Sequence, residues 1–227
     1  ALTAGNVDVL TLAPIWLPED GIGQFAGLGY KHNPNIRITV QKYWMPNDTY
    51  EPIYPLDSRK KVDHNATVLK DLQEKQNAYD RDIDAAVTEL NKKTGKDIIF
   101  TVPVGQAAIA LRKKIVAGQA PGLKGQWDLF RDCWGHPRPV LQVLSGYCHF
   151  AVIYRRSPVG LPAPVLLNKG EGSKGLEKVN DIIKGLGLEY RTDNPAPEEV
   201  EKLNRLLQEL AWEAVTTHPL TGLTAVK

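Results

Sequence analysis

Three short runs of β-branched and aliphatic residues, each followed by a stretch that reads as helix, constrain this chain more than any other feature. Val7-Asp-Val-Leu-Thr-Leu-Ala13 stops at Pro14, Ile36-Arg-Ile-Thr-Val-Gln41 opens into a loop, and Asp97-Ile-Ile-Phe-Thr-Val102 stops at Pro103. Compact apolar runs of this kind read as buried strands. Helices are predicted over residues 22–30, 63–93, 106–117 and 140–154. Strand and helix in alternation describe a parallel α/β sheet with crossover helices. Three strands are few for such a sheet, and further ones would naturally precede Ala1.

The helix over 63–93 is the strongest of these readings. Val62, Ala66, Leu69, Leu72, Gln76, Tyr79, Ile83, Ala86 and Leu90 recur at steps of three and four, making one apolar stripe. Asn91 and Gly95 mark its end, and Asp63-His64 reads as its capping start. The preceding segment, 44–61, carries Pro46, Pro52 and Pro55 and is predicted to be an irregular loop. After Pro158, Pro162 and Pro164, the polar stretch Lys169-Gly-Glu-Gly-Ser-Lys174 leads to two more helices, over 175–186 and 196–216. Val200, Leu203, Leu206, Leu207, Leu210, Ala211 and Val215 give the second an apolar face. The predicted organisation is an α/β domain over 1–168 and a helical extension over 169–227 that packs on it.

Twenty-eight basic residues against twenty-six acidic ones leave a formal charge of +2, so nothing calls for a polyanionic partner. The longest basic run, Arg59-Lys60-Lys61, reads as a solvated helix entrance, and nucleic acid is not expected as a partner. No apolar run has the length of a membrane span and no signal-peptide pattern opens the chain, which starts at Ala1 without a methionine. Export to a periplasm or beyond stays open on that ground. Cys133 and Cys148 read as free thiols rather than as a pair. No CxxC, HExxH or zinc-ligand spacing is present, so no metal or cofactor is expected.

Chemistry concentrates in Asp128-Leu-Phe-Arg-Asp132-Cys-Trp-Gly-His136-Pro137. This stretch sets an aspartate four residues before a histidine in a loop containing glycine and proline. A histidine is the side chain most easily poised for proton transfer near neutral pH. A neighbouring carboxylate can fix its tautomer and stabilise its charged form. Asp132 and His136 therefore read as the acid and base of a hydrolytic triad. The nucleophile is harder to find. Ser58, Ser145, Ser157 and Ser173 sit outside any strand-to-helix elbow, and Cys133 gains nothing by being next to Asp132. Trp16, Trp44 and Trp134 flank strand ends, where open α/β sheets bind ligands, and Asn47 follows the second strand. An aromatic cleft there suits a sugar or aryl ester, although core packing explains these tryptophans equally well. Of the other histidines, His149 reads as packed, His32 as a turn residue and His218 as part of the tail.

On the Asp132–Pro137 element, joined to the strands ending at Pro14 and Pro103, the chain resembles the SGNH/GDSL hydrolases. It resembles most the SGNH-like proteins of planctomycetes, through Tyr147-Cys-His-Phe-Ala-Val-Ile-Tyr-Arg-Arg-Ser157-Pro-Val-Gly160. The resemblance covers most of residues 7–162. It implies a flavodoxin-like three-layer α/β/α sandwich and ester hydrolysis by a serine, with His136 as general base and Asp132 as its orienting acid. It also implies that the nucleophile block lies upstream of Ala1. The family's oxyanion asparagine has no counterpart in Ala13-Pro14-Ile15-Trp16, though Asn47 could serve. Two functions follow as expectations: a serine esterase acting on small or carbohydrate-linked acyl esters, or a non-catalytic binding module on the same scaffold. An uncovered sheet edge would in addition invite pairing between copies of the chain.

Overall fold

A computed structural model describes residues 1–14, 20–46, 48–49, 62–169 and 199–223. The helix predicted over 175–186, the run Arg59-Lys60-Lys61, Ser58 and Ser173 lie outside them, as do Trp16 and Asn47. The three predicted strands are β1 (Val9–Leu12), β2 (Arg37–Gln41) and β3 (Ile99–Val102). They pair in parallel in the order β1-β2-β3, with Leu10 beside Ile38 and Val40 beside Thr101.

Strands that follow one another across a parallel sheet need crossovers of one hand, which puts both connecting helices on the same face. α1 (Asp20–His32) and α2 (Leu69–Thr94) obey this. Ile22 and Ala26 of α1 share one core cluster with Leu72, Tyr79, Ile83 and Val87 of α2, over Ile38, Val40 and Ile99 of the sheet. Side chains alternate along a strand, so Phe100 and Val102 face the other way. There they join α3 (Val104–Val116), α4 (Pro139–Tyr154) and α6 (Val200–Thr217) in a second cluster. A short helix, α5 (Val165–Lys169), connects α4 toward α6. The architecture is α/β with a three-stranded parallel sheet, compatible with a three-layer α/β/α arrangement. No helix among the described residues is long and apolar enough to cross a membrane.

Several local readings change. β2 and β3 are buried, but β1 lies at the end of the sheet formed by the described residues, with Val9 at 42% exposure and Thr11 exposed, so the Val7–Ala13 run is not buried there. α2 begins at Leu69 rather than Asp63. Asp63 instead accepts from the Asn65 amide at 2.9 Å and caps a single 3-10 turn, His64–Ala66, before the chain extends at Thr67. Along its second half the inner face of α2 buries Val87 and Asn91, with Ala86 and Leu90 half-buried beside them. Asn91 is no helix stop. Its amide donates to the Ile99 carbonyl at 2.8 Å and accepts from the amides of Ile98 and Ile99, tethering the start of β3. Gly95, at φ 71°, closes the helix in the left-handed region that glycine tolerates.

α6 lays Leu203, Leu207, Leu210, Ala211 and Ala214 into the cluster with α3 and α4. The Tyr147 hydroxyl donates to Asn204 at 2.5 Å, and the Asn204 and Gln208 amides both donate to the Leu161 carbonyl. Beyond α6, His218 is buried rather than a loose tail residue. Its ring lies 2.6 Å from the Lys42 ammonium and 3.2 Å from both Asp84 and Thr101, tying the end of the described chain to the sheet.

Gly105, at the start of α3, donates its amide to the Lys42 carbonyl at 2.9 Å. A Cβ there would stand 2.3 Å from Gln76 Nε2 and 2.4 Å from the Tyr43 carbonyl oxygen. Gly105→Ala is expected to destabilise the fold by about 1–3 kcal/mol through overpacking. Gly146, inside α4 with nothing within 4 Å of a new Cβ, is expected to gain about 0.5–1 kcal/mol as alanine. Urea unfolding midpoints of the two variants should move in opposite directions.

Candidate active site

α4 runs antiparallel to the strands. Arg37, at the start of β2, donates to the carbonyl of Val152 near the end of the helix at 2.9 Å. The beginning of α4 and the residues before it therefore stand at the carboxyl end of the sheet, where α/β folds carry their sites. Those residues form a small hairpin. Phe130 and Pro137 make an antiparallel bridge, the Arg131 amide donates to the His136 carbonyl at 2.8 Å, and the Arg138 amide donates to the Leu129 carbonyl at 2.8 Å. Gly135 turns the tip at φ 84°, a conformation that costs most residues a steric penalty. The Trp44 indole donates to the Gly135 carbonyl at 2.9 Å, pinning the tip to the segment that follows β2.

Asp132 lies inside this hairpin with no exposed surface. One carboxylate oxygen accepts the backbone amides of Trp134 and His136, at 3.0 and 3.2 Å. The other accepts His136 Nδ1–H at 2.6 Å. His136 is 59% exposed in its side chain. Its Nε2 has no hydrogen-bond partner among the described residues, and the Trp134 ring stands edge-on to it, with centroids 5.9 Å apart. The hydrogen bond to Asp132 raises the imidazole pKa above its usual 6.5; partial burial and the charge of Arg131 pull the other way. His136 does not cap α4, whose N-cap is Arg138 with Pro139 as its first residue. The structure brings Asp132, His136 and Trp134 together in this hairpin. Trp44 joins them from beneath, with its polar atom committed to the hairpin.

A buried ionic frame behind the hairpin was not foreseen. Asp48 sits at φ 51°, unusual for a residue with a side chain, and is fully buried. Arg112 of α3 grips its two oxygens at 2.6 and 2.8 Å, Thr67 donates at 2.5 Å, and His64 Nδ1 lies at 2.7 Å. Burial alone would push the Asp48 carboxyl up; the hydrogen bonds from Arg112 and His64 overcome it and hold the group well below the usual carboxylate range. The other nitrogen of His64 lies 2.9 Å from the main-chain carbonyl of Asp132. Arg112 Nε also donates to Gln126 at 2.6 Å, and Trp127 and Phe130 both pack against the His64 ring. The reading of Asp63-His64 as a capping pair captured Asp63 and missed this role of His64. The bare pair Asp-His at a loop end was the only signal.

No nucleophile is paired with His136 among the described residues. Ser145 is half-buried within α4, and Ser157, beyond the opposite end of that helix, accepts from the Val159 amide. Both cysteines are free. Burial, then the charge of Asp132, pushes the Cys133 thiol up, which disfavours the reactive thiolate. Cys148 is sealed in the core, its thiol pushed up to about 12 by burial. No group of three or more His, Cys, Asp or Glu side chains among the described residues is placed to hold a metal ion. No family model matches the chain, and no curated protein or solved structure does either.

Removing one partner of a buried pair strands the other charge. Asp48→Asn, which leaves Arg112 uncompensated, is expected to cost about 3–5 kcal/mol in chemical unfolding. Because the Asp48 pKa is depressed in the folded state, its stabilisation is fully present above about pH 4 and is lost as pH falls toward the depressed value. The gap between wild type and Asp48→Asn should accordingly narrow as pH falls below about 4.

Proposed function

We propose that the protein is a serine ester hydrolase of SGNH type on a flavodoxin-like α/β/α scaffold, acting on small or carbohydrate-linked acyl esters. The observation that carries this reading is the 2.6 Å hydrogen bond between a fully buried Asp132 and an exposed His136 whose second nitrogen has no partner among the described residues. Asp132 fixes His136 with its hydrogen on Nδ1, so Nε2 presents a lone pair outward. In that state the ring accepts a hydroxyl proton as the attack on an ester carbonyl begins, and the imidazolium that forms is stabilised by the carboxylate. The ring then returns the proton to the departing alcohol. Trp134 beside the imidazole offers an apolar face to an acyl or sugar group.

The serine and the oxyanion donors are the members that the described residues do not supply at His136. That gap favours a second reading, in which the same hairpin belongs to a non-catalytic binding module. Two assays separate the readings. Turnover of p-nitrophenyl acetate by the wild type should fall on the order of 10²-fold or more in His136→Ala. A fluorophosphonate probe should label the esterase and leave a binding module untouched. Turnover that survives His136→Ala unchanged contradicts the esterase.

The pH dependence follows from the raised imidazole pKa. The general base must be neutral, so the rate should rise with pH through a midpoint above 6.5 and then level off. Asp132→Asn removes the hydrogen bond that raises the pKa. Its rate profile should shift to lower pH, with a lower plateau because the ring loses its fixed tautomer.

A further inference from the structure

We infer that His64 is a buried imidazolium that positions the Asp132–His136 pair. The inference rests on the proposed role of that pair, and it comes from the hydrogen-bond inventory around the His64 ring. Nδ1 lies 2.7 Å from an oxygen of Asp48, a carboxylate already held by both terminal nitrogens of Arg112 and by Thr67. Nε2 lies 2.9 Å from the main-chain carbonyl of Asp132. A carboxylate so engaged and a carbonyl can only accept. A neutral imidazole carries one hydrogen, and would therefore set a lone pair against an oxygen on one side or the other. Only the doubly protonated ring satisfies both contacts.

The ring has no exposed surface, and an unpaired charge is costly in such a place. Its charged neighbours are accounted for on every side: Asp48 from the segment after β2, Arg112 from α3, and Asp132 from the hairpin. Trp127 stands edge-on to the ring and Phe130 packs tilted against it, with ring centroids 4.4 and 4.3 Å away. Hydrogen bonds consequently run in series from Arg112 through Asp48, His64 and Asp132 to His136, the residue that faces solvent. His64 touches neither substrate nor the reacting nitrogen. It acts through the Asp132 main chain, whose carbonyl it shares with the Gly135 amide, and so fixes the residue whose side chain orients His136.

Ring-nitrogen NMR on the whole, uniformly labelled chain tests this without any variant. At neutral pH both nitrogens of His64 should carry hydrogens, and Nε2–H should show a through-hydrogen-bond coupling to the Asp132 carbonyl. One bare nitrogen on His64 overturns the inference. The positioning role is read in His64→Gln, which retains one donor. The far-downfield signal of the short His136 Nδ1–H bond should broaden or move upfield, and kcat on p-nitrophenyl acetate should fall on the order of 10²-fold with KM little changed. An unaltered His136 signal in a folded His64→Gln protein refutes positioning. If that variant does not fold, the wild-type nitrogens still decide the charge state. Spectra as expected in a protein without esterase activity would sink the hydrolase reading alone. Activity together with a singly protonated His64 would sink this inference alone.

Discussion

The carboxylate of Asp48 is the point on which the candidate site depends. It is fully buried, strained in its backbone, and shared among Arg112, Thr67 and His64. These partners come from α3, from the connector before α2 and, through His64, from the hairpin carrying Asp132. A buried ion of this kind contributes little net stability compared with apolar packing. Its effect is geometric: three segments that share no strand are held in one arrangement, because any other would leave a charge unpaired in the interior.

That constraint explains how an irregular hairpin can hold a reactive geometry. The stretch 130–137 has one isolated β-bridge and a left-handed glycine, which by themselves would leave it loose. Trp44 holds its tip from one side, His64 holds the Asp132 carbonyl from another, and Phe130 is buried against the His64 ring and the Arg112 guanidinium. Asp132 is then presented with its backbone fixed and one oxygen saturated by two amides. Its second oxygen has one remaining partner, the imidazole of His136. Preorganisation here comes from the surrounding shell rather than from the loop itself.

Much of the fold was legible because it is periodic. Strands β1 to β3 and helices α1, α3 and α4 were readable from runs and stripes within about two residues of their bounds, while α2 starts six residues later than its stripe suggested. The pair Asp132 and His136 was legible because a carboxylate and an imidazole four residues apart in a turn can reach one another locally. What escaped was non-local. Asp48 meets Arg112 across sixty-four positions and His218 meets Lys42 across one hundred and seventy-six. Neither spacing leaves a trace in a window of ten or twenty residues. The reading of Asn91 as a helix stop failed for the same reason, since its partner is the start of β3. β1 was judged buried from its composition, and only the sheet order puts it at the end of the described sheet.

A fixed, buried Asp132 carboxylate controls the protonation of the exposed His136 imidazole. The most direct measurement is an NMR titration of the His136 Cε1 proton in the wild type and in Asp132→Asn. The wild-type midpoint should lie above 6.5 and drop clearly when the carboxylate becomes an amide. Coincident titration curves, or a wild-type midpoint at or below that of a free histidine, would contradict it.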